Sequence, residues 1–157
     1  MSILIVDDSI DSQLLLKSIL KASGFSDLLI AGSSVEAFKL LGIEESHGGT
    51  DAKGVDVILM DILMPGLDGI ETCRLIRTVE FLQDVPIILV TGTEEVRYLE
   101  MALEAGALDF VIKPVNKVEL LARVRSAMRL KHESDRRKTL EREIAELRQQ
   151  VEKQLKN

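Results

Sequence analysis

The sequence predicts an α/β protein whose parallel β-sheet is covered on both faces by helices. Short apolar runs alternate with longer amphipathic stretches five times along the chain. The apolar runs are hydrophobic almost throughout, which is typical of parallel strands buried on both faces. Three of the amphipathic stretches end at glycines, Gly24, Gly42 and Gly106, as helices commonly do.

The elements follow one another as five strand–helix units. The predicted strands span residues 2–6, 28–31, 55–60, 85–90 and 107–112. The predicted helices span residues 11–23, 34–42, 68–80 and 94–106, and the last helix begins near Asn116. Asp68 is placed to cap the third helix. A polar, glycine-rich stretch at 42–54 predicts a long surface loop, in which His47 is expected to be solvated.

Composition and charge disfavour several classes of function. Of the 157 residues, 46% are hydrophobic, and the formal net charge of −6 argues against direct binding of nucleic acids or anionic membranes. Aromatic residues make up 3% and tryptophan is absent, so base-stacking platforms are not expected. The single cysteine, Cys73, rules out an intramolecular disulfide and fits a reducing compartment. With no recognisable signal peptide or membrane-length apolar run, a cytoplasmic location is expected.

Polar residues close four of the five predicted strands. The first strand runs into Asp7 and Asp8, the third into Asp61, the fourth into Thr91 and the fifth into Lys113. Ligands of open parallel sheets bind beyond the carboxyl ends of the strands, and these ends share one edge. Each residue alone has an ordinary structural reading, such as a helix cap. Together they predict a site of three acids, one hydroxyl and one ammonium.

This set of groups suits phosphoryl transfer with a divalent cation. Adjacent carboxylates at the end of an apolar strand repel each other, and a cation relieves that repulsion. Mg²⁺ prefers oxygen ligands, often one or two carboxylates with water and phosphate oxygens. A carboxylate can also act as a nucleophile toward phosphorus. The Lys113 ammonium and the Thr91 hydroxyl would stabilise the phosphoryl oxygens, while Gly92 leaves room for them to approach.

Four segments resemble the receiver domain of bacterial two-component response regulators. They are "LIVDDS" at the first strand, "MDILMPGLDG" at the third, "VTG" at the fourth and "VIKP" at the fifth. The resemblance covers about residues 2–130, in the order and spacing of the family. It implies a flavodoxin-like, doubly wound sheet with strand order 2-1-3-4-5.

The resemblance also implies roles for individual residues around a metal. Asp61 corresponds to the phosphoacceptor of the family. Asp7 and Asp8 correspond to its metal ligands, which bind Mg²⁺ or Mn²⁺ together with Asp61 and the backbone carbonyl of Leu63. A sensor histidine kinase, a phosphotransfer protein or a small phosphodonor would then supply the phosphoryl group.

Further residues match positions that respond to phosphorylation. Thr91 and Lys113 would bind the phosphoryl group, and Phe110 occupies the position of the aromatic switch residue, although it also fits an ordinary half-buried strand position. The face formed by the fourth helix, fifth strand and fifth helix would then change shape. Leu63 and Thr93 stand where family members often carry polar side chains that orient water, so slow dephosphorylation is expected. The chain would be a signalling switch that catalyses only its own phosphorylation and slow dephosphorylation.

Other classes of protein fit the sequence less well. A haloacid-dehalogenase-like phosphatase needs a D-x-D motif after the first strand, whereas this chain has D-D-S there. An FMN carrier needs a phosphate loop rich in serine and threonine with flanking aromatics. The P-loop pattern does not occur. An unphosphorylated, receiver-like docking module remains an alternative, although every acidic and basic position is intact.

The C-terminal segment predicts a long helix. Residues 115–157 hold 43 positions without proline or glycine. We expect a receiver domain at 1–130 and a helical extension at 131–157, which is too short for an output domain and is either a short coiled coil or a linker to an absent one.

Apolar residues repeat in this extension at spacings of four, three and four, namely Leu140, Ile144, Leu147 and Val151. Branched residues at heptad positions a with leucine at d favour a parallel homodimer. A solvated helix is the alternative, because residues 131–139 are entirely polar and the seam covers only about two heptads.

Overall fold

The structure, a computed structural model, describes residues 1–43, 54–92 and 96–157. It contains one sheet of five parallel strands in the order β2-β1-β3-β4-β5. The strands are β1 (Ser2–Val6), β2 (Asp27–Ala31), β3 (Val57–Asp61), β4 (Ile87–Thr91) and β5 (Asp109–Ile112). The helices are α1 (Ile10–Ala22), α2 (Ser34–Leu40), α3 (Gly69–Arg77), α4 (Val96–Glu104) and α5 (Lys117–Lys156). The predicted fold class and strand order are confirmed.

The helices cover both faces of the sheet, as the unbroken apolar strands predict. Alternate strand residues point to opposite faces, so each strand contributes to two cores. One core packs α2, α3 and α4 against residues such as Leu4, Met60 and Leu89. The other core packs α1 and α5 against residues such as Ile5 and Val90.

Several predicted boundaries were wrong by two or three residues. Strands β3, β4 and β5 each begin two residues later than predicted. Helix α3 ends at Arg77 rather than at residue 80, and a 3-10 turn follows at Glu80–Leu82. The β-branched Thr78 ends the helix because its hydroxyl and its N–H both bond the carbonyl of Leu75.

Helix α5 is continuous over 40 residues. Its first half covers the sheet with Leu120, Leu121, Val124, Ala127 and Met128, all of which are buried. From Asp135 onward every side chain is exposed. Among the described residues, no helix combines the length and apolar character that a membrane crossing requires.

Candidate functional site

Strand register brings the predicted polar residues to one edge of the sheet. Val6 pairs with Met60, Asp61 with Val90 and Thr91 with Ile112. The next residue along β1 is therefore Asp7, and the next along β5 is Lys113. Because all strands are parallel, these side chains meet beyond the carboxyl ends of the strands.

Three carboxylates form the centre of this edge. One oxygen from each of Asp7, Asp8 and Asp61 lies within 4.8 Å of the others. Asp7 and Asp61 are buried, with 1% and 7% of their surface exposed, whereas Asp8 is exposed. Carboxylate oxygens are hard donors of the kind that Mg²⁺ and Mn²⁺ prefer. The donor set therefore fits a divalent cation.

Lys113 is the cation closest to these carboxylates among the described residues. Its Nζ lies 3.2 Å from Asp7 Oδ2 and 3.4 Å from Asp61 Oδ2. It also donates a weak hydrogen bond to Ser12 Oγ at 3.4 Å. One ammonium thus faces a group of three acids, so the centre keeps an excess of negative charge that a bound cation would balance.

Burial raises the pKa of the Asp61 carboxyl, because the charged form loses hydration. The Lys113 ammonium opposes this shift, the charge of Asp7 adds to it, and the N–H of Leu63 lowers the pKa by donating to Asp61 Oδ1 at 3.3 Å. Desolvation is the largest of these effects. Burial therefore makes the anionic form of Asp61 less favourable in the folded chain than in water.

Backbone contacts hold the two buried acids in place. The Ser9 N–H donates to Asp7 Oδ1 at 2.8 Å, and Gln13 Nε2 donates to the carbonyl of Asp7 at 2.6 Å. On the other strand, the N–H of Gly69 donates to the carbonyl of Ile62 at 2.8 Å. A Cβ on Gly69 would clash with the carbonyl oxygen of Asp61. Glycine is thus required where α3 starts against the end of β3.

The other predicted site residues lie around this centre. Thr91 is fully buried at the end of β4, and its carbonyl accepts from the Lys113 N–H at 2.7 Å. The Leu63 side chain is 64% exposed beside the carboxylates. Phe110 is half-buried and packs in the same core as Tyr98 and Met101 of α4.

Two predictions fall wholly or partly outside the described residues. Thr93, expected near the phosphoryl group, lies in the gap at 93–95. His47 and most of the predicted loop lie in the gap at 44–53.

The apolar seam of α5 is remote from the carboxylates. The side chains of Leu140, Ile144, Leu147 and Val151 are 49%, 50%, 59% and 53% exposed. They lie on the projecting part of α5, which leaves the sheet at its amino-terminal edge, where the Lys138 side chain pairs with Asp84. The sequence predicted the seam but missed this contact, because the two partners are far apart in the chain.

The sequence also missed Ser12, Gln13 and Gly69 as parts of the site. Ser12 and Gln13 lie in the first turns of α1, directly after the two acids of the first strand. That position was a usable signal, because helix residues following a strand face the same edge as the strand end. Gly69 stands inside the "LDG" segment, where only its contact with Asp61 explains why glycine is needed.

Curated relatives of this chain are response regulators. The cyclic di-GMP phosphodiesterase response regulator RpfG of Xanthomonas campestris is 35% identical over 144 residues, which cover 86% of this chain and 34% of the relative. The transcriptional regulatory protein CpxR of Klebsiella pneumoniae is 36% identical over 141 residues, covering 88% of this chain and 54% of the relative. The chain therefore spans about a third to a half of the length of these relatives.

Solved structures of receiver domains share the fold. A response regulator receiver domain protein from Methanospirillum hungatei matches with a TM-score of 0.71 at 26% identity, covering 85% of this chain and 97% of that one. The receiver domain of a sensor histidine kinase from Pseudomonas aeruginosa matches with a TM-score of 0.66 at 28% identity, covering 83% and 97%. The latter structure holds a magnesium ion coordinated in its active-site cleft.

The family profile of the response regulator receiver domain matches residues 3–125. This match includes all five strands except Ser2 of β1, as well as the carboxylate centre, and it ends within α5 before the projecting part of that helix. The chain belongs to the response regulator receiver domain family of two-component signalling systems.

Proposed function

We propose that this chain is a phosphorylation-activated switch whose phosphoacceptor is Asp61. One observation carries the proposal: a buried carboxylate lies at the same edge as two further acids and within 3.4 Å of the Lys113 ammonium. A nucleophile for phosphorus needs this combination, because the acids organise a cation while the ammonium offsets repulsion between anions.

In the proposed reaction, an Asp61 oxygen attacks the phosphorus of a phosphohistidine or of a small phosphodonor. A new oxygen–phosphorus bond forms, and the bond to the leaving group breaks with its electron pair, which gives an aspartyl phosphate. Lys113 offsets charge on the transferred group, and the Thr91 hydroxyl donates to a phosphoryl oxygen. Most of the acceleration comes from positioning and electrostatics, since this transfer needs little covalent chemistry from the protein.

Asp7, Asp8, Asp61 and the backbone carbonyl of Leu63 are the groups that would hold Mg²⁺ or Mn²⁺. The desolvation that raises the Asp61 pKa supports this assignment, because a nearby cation restores the anionic form. When bound, the cation supplies positive charge next to the carboxylates and the phosphoryl oxygens. The chain's own contribution is to fix the oxygen donors with the contacts to Ser9 and Gly69.

The partner that delivers the phosphoryl group is a sensor histidine kinase or a phosphotransfer protein. Helix α1 starts directly after the metal-binding acids and exposes Ile10, Leu14 and Leu15 by 70%, 57% and 49%. Pro114, next to Lys113, is also exposed. An apolar surface at the rim of the site is suited to dock the donor, because its phosphohistidine must reach Asp61.

Phosphorylation adds about 1.5 to 2 negative charges at Asp61. Thr91 and the following segment would move toward the new oxygens, and Phe110 would repack against α4. The α4–β5–α5 face would then change, where Arg123 now bonds Asp109 at 2.6 Å. Two packings that differ by a few kcal/mol are sufficient for such a switch.

We divide the chain into a receiver domain at 1–130 and an extension of α5 at 131–157 that pairs with a second copy. The two relatives differ in function, since one is a cyclic di-GMP phosphodiesterase and the other a transcriptional regulator. The relatives share the receiver domain with this chain. We therefore infer only the phosphorylation step for this chain, and not the further activities of the relatives. We assign the chain to the cytoplasm, with signalling rather than turnover of an external substrate or direct nucleic-acid binding as its role.

The decisive experiment is intact mass spectrometry after incubation with acetyl phosphate and MgCl₂. The wild type should gain one phosphoryl mass, and Asp61→Asn should gain none. Asp68→Asn is the matched control, because it changes an acid in the same β3–α3 segment while asparagine keeps the α3 cap. No adduct on the wild type would favour the docking module. Hydrolysis of an external phosphomonoester without an adduct would favour a phosphatase.

A further inference from the structure

One side of the α5 extension contacts the receiver domain through ion pairs. Lys131 Nζ lies 4.0 Å from Asp56 Oδ1, and one of the oxygens of Asp135 lies 2.6 Å away on the same helix. Two turns later, Lys138 pairs with Asp84. Both Asp56 and Asp84 lie at the amino-terminal edge of the sheet, opposite the phosphoacceptor edge. These contacts fix the direction in which α5 leaves the domain.

The apolar seam lies on the opposite side of the same helix. At 3.6 residues per turn, Lys131 and Lys138 point in nearly one direction, whereas Leu140 and Leu147 point about half a turn away from it. The seam is accessible, since Leu140 and Leu147 are 49% and 59% exposed. The receiver domain of the same chain therefore leaves the seam uncovered.

We propose that the seam pairs with the seam of a second copy, with the two helices parallel and in register. This inference deepens the second-copy partner named in the proposed function. Leu140 and Leu147 take heptad position d, and Ile144 and Val151 take position a. The preceding a and d positions are Arg137 and Glu133, so the apolar contact begins at Leu140. That start lies directly after Lys138, where the contacts with the receiver domain end.

Charges beside the seam select this register. In a parallel pair, a residue at position g lies next to position e of the following heptad in the partner helix. Glu143 then meets Arg148 of the second copy, and Arg136 meets Glu141 of the second copy. Each of these pairs is five residues apart in sequence, so the partners do not face each other within one helix.

A shift of one heptad reverses the sign of these contacts. Glu143 would then lie next to Glu141 of the second copy, and Arg136 next to Arg148. Like charges at these positions disfavour the shifted pair, so the same residues that stabilise the unshifted dimer exclude the alternative. An unrelated apolar partner would not require this arrangement of charges.

Cysteine cross-linking of the full chain tests the orientation and the register. Leu140→Cys and Leu147→Cys should each form a disulfide-linked dimer under mild oxidation without a phosphodonor, because each residue meets its own copy. An antiparallel pair can bring at most one of these two positions next to itself. The controls are Gln149→Cys, which lies on the opposite side of α5, and the wild type, whose Cys73 is buried. Cross-linking at neither position, or at only one, would overturn the proposal.

Charge exchange tests the pairing in a second way. Glu143→Arg and Arg148→Glu should each raise the dimer dissociation constant by about tenfold in sedimentation equilibrium at low salt, because each creates two like-charge pairs. The double variant should return to the wild-type value, since the two residues do not touch within one helix. A double variant as weak as the singles would contradict the proposal. Neither experiment involves Asp61. A negative result would therefore reject the dimer without affecting the phosphorylation proposal, which the mass-spectrometry experiment tests independently.

Discussion

The carboxylate edge and the α5 extension use charge in opposite ways. At the edge, Asp7 and Asp61 are buried together and share the single ammonium of Lys113. In the extension, the charged side chain of Lys138 is half exposed and pairs with the opposite charge of Asp84. Burial therefore makes the anionic form of Asp61 unfavourable at the edge, whereas Lys138 in the extension is in direct contact with an opposite charge on Asp84. The contrast supports the proposal that the edge is the part of the molecule that responds to a cation or a phosphoryl group.

The largest effect is expected where backbone packing fixes the edge. Gly69→Ala should lower the free energy of unfolding by about 3 kcal/mol, because the new Cβ clashes with the backbone carbonyl of Asp61 rather than with a side chain that can move. Gly54→Ala is the matched control, since a Cβ there meets no atom within 4 Å. Urea titration of both variants measures the difference. Equal stabilities would mean that the backbone at the β3–α3 junction can shift to accommodate the added Cβ at little cost.

Metal binding should raise the free energy of unfolding by nearly as much as Gly69→Ala lowers it. At Mg²⁺ concentrations about 100 times the dissociation constant, the free energy of unfolding should rise by about 2.7 kcal/mol. Asp61→Asn should lose most of this gain and should be more stable than the wild type without metal. Thermal unfolding with and without MgCl₂, with Asp68→Asn as control, measures both effects. A wild type that MgCl₂ does not stabilise would contradict the assigned ligands.

The pH dependence of the metal-free protein follows from the raised pKa of Asp61. The folded state binds the proton more tightly than the unfolded state, so the destabilising charge is absent below the unfolded value of 3.8. The destabilisation appears as the pH rises through that value and is complete above the folded pKa. The stability difference between Asp61→Asn and the wild type should therefore widen with rising pH. A difference that stays constant with pH would exclude this electrostatic origin.

Leu63 is expected to limit how fast the phosphorylated edge returns to its resting state. Its exposed apolar side chain cannot orient a water molecule by hydrogen bonding. Leu63→Asn should speed the loss of the acyl phosphate by about tenfold, equivalent to about 1.4 kcal/mol. Leu75→Asn is the control, because it replaces an exposed leucine on α3 away from the site. An unchanged or slower rate in Leu63→Asn would count against this role.

The difference between the two regions also explains how far the sequence could predict them. The polar residues that follow four strands predicted the edge, because parallel strands end on one side and the carboxyl end of each strand is readable where its apolar run meets a polar residue. The periodic leucines predicted the seam, because a helix repeats locally. Both signals depend on neighbours in the chain. Contacts between segments that are distant in the chain, such as Lys138 with Asp84, produce no local pattern in the sequence from which they could be predicted.

Arg77 shows why element boundaries were harder to predict than elements. Its guanidinium donates to the carbonyls of Leu82, Val85 and Gly106 at 3.0, 2.7 and 3.0 Å. Burial lowers the pKa of this side chain, and the carbonyls replace the water that it lost. Backbone groups that bond Arg77 lie just before the strands, so β4 and β5 begin later than their apolar residues suggest. The sequence around Arg77 does not predict these hydrogen-bond partners.

The smallest effect is expected at the contact between the extension and the domain. The hydrogen bond from Lys138 lowers the pKa of Asp84, while its limited burial opposes the shift. The stability that this pair contributes is present above the unfolded value of 3.8 and is lost as the pH falls through the lower folded pKa. Because both side chains are more than a third exposed, solvent screening limits the contribution to about 0.5 kcal/mol. Asp84→Asn should therefore leave global unfolding almost unchanged and instead speed amide hydrogen exchange around Ser134 and Lys138 at neutral pH. Glu146→Gln, farther along the projecting part of α5, is the control, and equal exchange in the two variants would mean that the pair does not hold the extension.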